Sequence, residues 1–137
     1  AENPESFYQL GNLYQRKGDF PEAINYYEKA LSLHRDFPKA LQNIAIIHSI
    51  NQEYDKAIEY LEEMKRNHPD NPNIYYNIAC IYSKQGRVEE AVEWLSEAME
   101  RGFDDRELLE TDPDLENVRR SGLYREMMKE QALGIGQ

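Results

Sequence analysis

The chain has 137 residues, with 26 acidic residues against 16 lysines and arginines, so its formal net charge is −10. This charge argues against a nucleic-acid partner, because binding a polyanion depends on cationic contacts. Hydrophobic residues make up 40% of the chain, which is enough for a folded core, but no apolar run is long enough to insert into a membrane.

The first two predicted helices lie on either side of a short turn. Apolar residues recur in both segments at three- and four-residue steps, which is the period of an amphipathic helix. Asn3 followed by Pro4 is typical of an N-cap and the first helical residue. Gly18 marks the turn, and Asp19 with Glu22 forms the pattern of a capping box. The sequence therefore predicts helix, tight turn, helix.

The same pattern returns twice at a fixed spacing. Pro4, Pro38 and Pro72 are each 34 residues apart. Small residues repeat at this spacing at two positions, namely Gly11, Ala45 and Ala79 in the first helix and Ala23, Ala57 and Ala91 in the second. Small residues let two helices approach closely, and one helix pair cannot bury its apolar face alone, so we expect stacking. The predicted units are 4–37, 38–71 and 72–103.

The last stretch departs from the repeat. Asp112 can cap a helix that Pro113 opens, and apolar residues then recur at helical spacing from Leu123 to Met128. We predict a C-terminal helical cap over residues 104–131 that covers the last repeat, followed by a frayed tail at 132–137. No comparable cap precedes Pro4.

This pattern resembles the tetratricopeptide repeat (TPR) family over about residues 4–103. The first unit supplies Phe7, Leu10, Gly11, Tyr14, Ala23, Tyr27 and Ala30. The third supplies Tyr75, Ile78, Ala79, Tyr82, Ala91, Leu95 and Ala98. The second is less faithful, because His48, Gln52 and Met64 replace a Tyr, a turn Gly and an Ala. The resemblance implies an all-α fold, a right-handed α-solenoid of stacked antiparallel helix pairs.

By the same resemblance, the first helix of each pair lines a concave groove. The groove positions carry three cations against Glu5, so this face is mildly basic within an acidic protein. Asparagines can pair with a peptide backbone, and tyrosines offer flat contact area at low entropic cost. The predicted peptide-binding residues are Tyr8, Asn12, Arg16, Lys39, Asn43, Ile46, Ile50, Asn73, Tyr76, Asn77, Cys80 and Lys84.

These features predict a non-catalytic protein–protein interaction module that binds a peptide segment in the groove and acts as a scaffold or adaptor. Two alternatives stay open. One is a homo-oligomeric assembly unit that self-associates through its uncapped N-terminal repeat, and the other is a regulatory fragment of a larger protein.

One ligand mode of the family can be compared residue by residue. Some members grip the C-terminal carboxylate of heat-shock chaperones with two asparagines and three cations. The matching positions keep the asparagines but lack all three cations, so we expect no chaperone-tail clamp; they are Tyr8, Asn12, Asn43, Asn73 and Asn77.

No catalytic, cofactor or metal site is expected. His34 and His68 lie one repeat apart, too far to share a metal, and His48 occupies a packing position. Adjacent acidic residues, such as those at 62–63, do not face each other on a helix. Cys80 has no histidine partner implied by the sequence.

The cysteine count bears on location. A single cysteine excludes an intrachain disulfide and fits a reducing compartment. No basic and apolar signal segment opens the sequence, although a signal peptide that had been cleaved would leave no trace. We therefore expect a cytoplasmic location.

Overall fold

A computed structural model describes residues 3–132, and over these residues the chain is helical, with no strand. Three long helix pairs are followed by shorter helices. The helices are α1 (Pro4–Arg16), α2 (Phe20–Leu33), α3 (Pro38–Ile50), α4 (Tyr54–Asn67), α5 (Pro72–Lys84), α6 (Val88–Glu100), α7 (Arg106–Thr111), α8 (Glu116–Arg119) and α9 (Gly122–Ala132). A 3-10 turn, Pro113–Leu115, connects α7 to α8. The predicted all-α fold of antiparallel helix pairs is confirmed.

The helices begin where the local sequence chemistry predicts. Asn3 Oδ1 accepts a hydrogen bond from the Glu5 backbone N–H at 2.8 Å, and Asn71 Oδ1 accepts one from the Asn73 N–H at 3.0 Å. Asp19 Oδ1 accepts from the Glu22 N–H at 3.3 Å. Each contact satisfies a donor that the first helical turn leaves unpaired.

The turn inside the second pair differs from the other two. Gly18 and Gly86 have φ of +80° and +76°, in the left-handed region that glycine adopts without a steric penalty. Gln52 occupies the equivalent position with φ of +61°. The second turn therefore keeps the backbone conformation of the others at the steric cost of a side chain there.

The chain divides into two compact units, Ala1–Asn67 and His68–Gln137. The first contains α1 to α4, in which α2 packs against α3 as well as against α1. Its fully buried core residues include Ala23, Tyr27, Ala30, Leu41, Ile44, Ile47 and Ala57. The predicted division into repeats at 4–37, 38–71 and 72–103 stays a prediction.

The second unit contains α5 to α9. Buried residues of α5 and α6 join Phe103, Leu109, Leu115, Val118 and Met127 in one core cluster. The predicted cap residues from 106 to 131 thus contribute apolar side chains to this core. Ala132 is the last residue of α9, and residues 133–137 of the predicted frayed tail lie outside the described residues.

Two further sequence interpretations concern histidine packing and membranes. His48 is buried, its ring stacks on Tyr60 at 5.7 Å, and its Nδ1 lies 3.0 Å from Glu53 Oε1. It is a packing histidine, as predicted.

Within residues 3–132, no helix combines the length and apolar character needed to span a bilayer.

Candidate functional site

A polar cluster on α1, α2 and α3 contains three of the predicted residues of the first unit. The Tyr27 hydroxyl lies 2.6 Å from Asn12 Oδ1 and 2.5 Å from Gln15 Oε1. The Asn43 amide donates to Asn12 Oδ1 at 3.1 Å, to the Tyr27 hydroxyl at 3.2 Å and to the Tyr8 hydroxyl at 3.5 Å. Burial raises the pKa of the Tyr27 phenol, so its proton stays available to these acceptors at neutral pH.

This cluster leaves hydrogen-bonding capacity facing outward. Asn12, Gln15, Arg16 and Asn43 line an open pocket of about 360 Å³. Within residues 3–132, the Asn12 amide N–H groups and the Asn43 carbonyl oxygen form no side-chain hydrogen bond. The Arg16 side chain is exposed, and its guanidinium has no carboxylate partner among the residues described. A ligand could therefore find donors, an acceptor and one cation in the same pocket.

Apolar side chains continue the same side of α3. Ile46 and Ile50 follow Asn43 by three and seven residues, a spacing that places them on one helix face. Their exposed fractions are 41% and 55%, against complete burial of Ile44 and Ile47 on the same helix. Lys39 is exposed near the start of α3. The first unit thus presents a polar pocket beside a small exposed apolar surface.

The predicted residues of the second unit have a different environment. We name residues 112–117 the cap segment. Tyr76 and Cys80, on α5, are only 5% and 7% exposed. The Tyr76 hydroxyl donates to Asp112 Oδ2, and Cys80 Sγ lies 3.8 Å from the same oxygen. Lys84 Nζ lies 3.5 Å from Asp114 Oδ2.

The predicted open groove position of Tyr76 and Cys80 is therefore wrong, because the cap segment and the core of the second unit enclose both side chains. Phe103 stacks on the Tyr76 ring at 4.4 Å between ring centroids. The Asn117 amide donates to the Ser83 carbonyl oxygen at 3.2 Å, which attaches the other end of the segment to α5. Asn73 is exposed on α5 and Asn77 is half-buried there.

Burial also sets the chemistry of the buried thiol. Burial first, and then the Asp112 charge, raises the pKa of Cys80 above its usual range. Burial and the hydrogen bond to Asp112 likewise raise the pKa of Tyr76. Both groups are therefore neutral at physiological pH, and a protonated thiol is a poor nucleophile and a poor metal ligand.

One group among residues 3–132 has the donor atoms of a cation site. Ligand atoms of Cys80, Asp112 and Asp114 lie within 4.8 Å of one another. In this structure, however, Tyr76 donates to Asp112, and the Lys84 ammonium is paired with Asp114. The two carboxylates already have partners from the chain itself, so the geometry fits an internal contact better than a metal centre.

Sequence reasoning missed two features of these surfaces. Tyr27 enters the sequence pattern only as a residue of the repeat, but the equivalent residues Leu61 and Leu95 have no hydroxyl, and that difference signals its polar role. The local sequence around Asp112 predicts only a helix cap. It does cap the 3-10 turn, through Oδ1 and the Asp114 N–H at 2.9 Å, while Oδ2 contacts α5. No local pattern identifies that second contact.

Comparisons with known proteins agree with this architecture. Family models described as tetratricopeptide repeat match residues 4–37, 26–59 and 50–111. No curated protein sequence matches the chain. Among solved structures, MamA is 26% identical over 72% of this chain with a TM-score of 0.67, and the match spans only 58% of that MamA chain.

Two other solved structures share the fold and contain peptides. One is the Yersinia enterocolitica type III secretion chaperone SycD in complex with a peptide of the translocator YopD, at 17% identity, 93% coverage of each chain and a TM-score of 0.69. The other is the first TPR of Spaghetti (RPAP3) bound to the HSP90 peptide SRMEEVD, at 19% identity and a TM-score of 0.61. It covers 96% of this chain and 94% of that one.

Proposed function

Because the chain belongs to the tetratricopeptide repeat family, we propose that it is a non-catalytic interaction module that binds a peptide segment of another protein on the α1 and α3 surface of its first unit. In this role it would act as a scaffold or adaptor. The main support is the open pocket in which Asn12, Arg16 and Asn43 keep unused donors, an acceptor and a charge. Proteins of the same fold hold peptides, as SycD and Spaghetti do.

The polar and apolar parts of this surface suit different parts of a peptide. Asn12 and Asn43 can exchange hydrogen bonds with a peptide backbone, which has one donor and one acceptor per residue. Ile46 and Ile50 can cover an apolar side chain of the ligand. The existing bonds among Tyr27, Asn12 and Asn43 hold the amides in place before binding, which lowers the entropic cost of association.

An array of immobilised peptides tests the proposal. Wild-type protein should bind a subset of peptides, and the double variant Asn43→Ala/Ile46→Ala should lose at least tenfold in affinity for them, as expected when a hydrogen bond and an apolar contact are both removed. Leu33→Ala is the matched control, since Leu33 is 45% exposed and lies on α2. Equal binding by wild type and double variant, with unchanged circular dichroism, would exclude this surface.

Binding of the HSP90 peptide that Spaghetti holds is not expected here. The positions that match the clamp carry no cation, so the terminal carboxylate of the peptide SRMEEVD would lack its charge partners. In calorimetry this peptide should not bind tightly. Nanomolar binding would show that the chain recognises the tail in another way.

A second candidate function is self-association through α1. Leu10 and Leu13 are 38% and 39% exposed, whereas the equivalent Ile44 and Ile47 of α3 are fully buried in the same unit. A second copy that covered Leu10 and Leu13 would give α1 the burial that α3 already has. Light scattering should then show a mass that rises with concentration, and Leu13→Glu should abolish the rise. A constant monomer mass would eliminate this function.

A further inference from the structure

The repeat places two similar rows of polar side chains on different helices. Each row has a tyrosine, then a hydrogen-bond donor four residues later, then a cation eight residues later. The α1 donor row is Tyr8, Asn12 and Arg16, and the α5 donor row is Tyr76, Cys80 and Lys84. The intervening helix, α3, has Gln42, Ile46 and Ile50 at these positions and therefore has no such row.

The α5 donor row shows what such a row binds, because it is already filled. Tyr76 and Cys80 contact one carboxylate oxygen, that of Asp112, and Lys84 pairs with Asp114 two residues later. The row therefore holds two carboxylates separated by one residue. Leu115, which follows them, is fully buried.

The segment that fills this row is organised by its own sequence. Asp112 Oδ1 accepts from the Asp114 backbone N–H at 2.9 Å, which closes a local turn. Pro113 fixes its own φ inside that turn. An Asp-Pro-Asp sequence thus presents both carboxylates on one side with little left to order, and a peptide with this sequence would bind with a reduced entropic cost.

In the α1 donor row, the Asn43 amide already donates to the Tyr8 hydroxyl oxygen at 3.5 Å and to Asn12 Oδ1 at 3.1 Å. The Tyr8 O–H and the Asn12 N–H groups have no acceptor among residues 3–132, so these donors remain available to a ligand. The Asn12 amide replaces the Cys80 thiol and is the stronger hydrogen-bond donor. Arg16 replaces Lys84, and its guanidinium can donate two parallel hydrogen bonds to one carboxylate. No carboxylate of the described residues forms an ion pair with Arg16. Asn12 and Arg16 both line the open pocket of the first unit.

We propose that the α1 donor row binds a peptide turn with two carboxylates in the order Asp-x-Asp, followed by an apolar residue. The inference rests on the proposed function and names its ligand class. Tyr8 and Asn12 donate to the first carboxylate, Arg16 pairs with the second, and Ile46 and Ile50 contact the apolar residue. The chain's own residues 112–115 are the internal example of this ligand class.

A synthetic blocked peptide with the sequence of residues 111–117, Thr-Asp-Pro-Asp-Leu-Glu-Asn, tests the inference against the full chain. Titration into nitrogen-15-labelled protein should shift the side-chain signals of Asn12, Asn43 and Arg16. Replacing both aspartates of the peptide by asparagine should weaken binding about tenfold or more, since a hydrogen bond to a charged group exceeds a neutral one.

Variants of the protein test whether the peptide binds at the α1 donor row. Arg16→Gln should weaken binding roughly threefold to tenfold, because an exposed ion pair contributes modestly. Lys17→Gln is the matched control, since it removes the same charge from the next residue, where the Lys17 ammonium lies over the Tyr14 ring at 5.5 Å. It should change affinity less than twofold.

Several outcomes would overturn the inference. Equal effects of Arg16→Gln and Lys17→Gln would reduce it to general charge attraction, and shifts confined to α5 would show that the peptide only replaces the cap segment. If the asparagine peptide shifted the same α1 and α3 signals with equal affinity, the acidic ligand class would be wrong while the peptide-binding function stood. If neither peptide nor any array peptide shifted these signals, both would fail.

Discussion

The two units carry the same row of helix positions in different states. In the first unit, Asn12 and Arg16 face an open pocket. In the second, Tyr76 and Cys80 lie beneath Asp112 and are almost completely buried. The repeat therefore sets which side chains line the first helix of a pair, whereas the chain that follows decides whether those side chains stay exposed.

The first helix pair also differs from the other two in the side chains that meet where its helices approach each other. Gly11 of the first unit faces Tyr27, and an added Cβ there would lie 2.5 Å from two carbons of the tyrosine ring. The equivalent positions elsewhere in the chain combine Ala45 with Leu61, and Ala79 with Leu95. A larger partner is thus matched by a smaller residue, and only the larger partner supplies a hydroxyl to a polar cluster.

The greatest loss of stability is expected from a substitution that creates a cavity in the core beneath the cap segment. Leu115 is fully buried with residues of α5 and α6. Leu115→Ala should lower the free energy of unfolding by about 2–5 kcal/mol, the usual cost of a large-to-small change in a core. Urea unfolding measures the loss, and hydrogen exchange should place it in α5 and α6 more than in α1 and α2.

Leu108→Ala is the control for this change, because Leu108 is 36% exposed on α7. Its cost should stay below about 1 kcal/mol, as for a surface substitution. Equal losses in the two variants would mean that the cap segment adds little to the stability of the second unit. The contact between the cap segment and the α5 donor row would then contribute little free energy.

The next largest change in stability is expected where Gly11 lies close to the Tyr27 ring in the first unit. Gly11→Ala should cost about 1–3 kcal/mol through overpacking against Tyr27, partly offset by the roughly 1 kcal/mol that alanine gains over glycine within a helix. In a Tyr27→Leu background the same change recreates the Ala–Leu combination of the other pairs. There it should be neutral or stabilising, as measured by thermal unfolding.

Together these variants form a double-mutant cycle, which tests whether the volumes of residues 11 and 27 are complementary. A coupling energy of about 1 kcal/mol or more is expected for residues in direct contact. Additive effects would show that the backbone of the first unit relaxes to admit the extra methyl group, and that the residue differences between the pairs do not reflect complementary volumes.

Local chemistry made most of the fold predictable. Proline and the preceding asparagine placed the starts of α1 and α5, and the spacing of small residues placed the close approach of the helices. The cap segment was different, because the pattern of Asp112 and Pro113 describes only a turn. Its contact with Tyr76 joins residues 36 positions apart, and no periodicity in the sequence encodes such a contact. The burial of Tyr76 and Cys80 beneath Asp112 could therefore not be predicted.

The last and smallest effect is on the alkylation rate of Cys80, which reports how well the cap segment covers the α5 donor row. Cys80 is the only cysteine, so alkylation reports on it alone. Its raised pKa keeps the thiol protonated at pH 8, and the rate with iodoacetamide should still be rising above pH 9 instead of reaching a plateau. Asp112→Asn removes a negative charge and weakens the contact with Tyr76. It should raise the rate severalfold, because the thiolate forms more readily without the neighbouring charge, at a stability cost of about 1 kcal/mol.

Glu116→Gln provides the matched control, since it removes one charge from the same segment, where Glu116 pairs with Arg120 at 2.5 Å and not with α5. Its alkylation rate should equal that of wild type. A wild-type rate near that of an unfolded cysteine peptide would mean that the cap segment opens freely, so that the α5 donor row is accessible in solution. The α1 and α5 rows would then be two sites for acidic turns, with the cap segment competing at only one of them because it is tethered beside it.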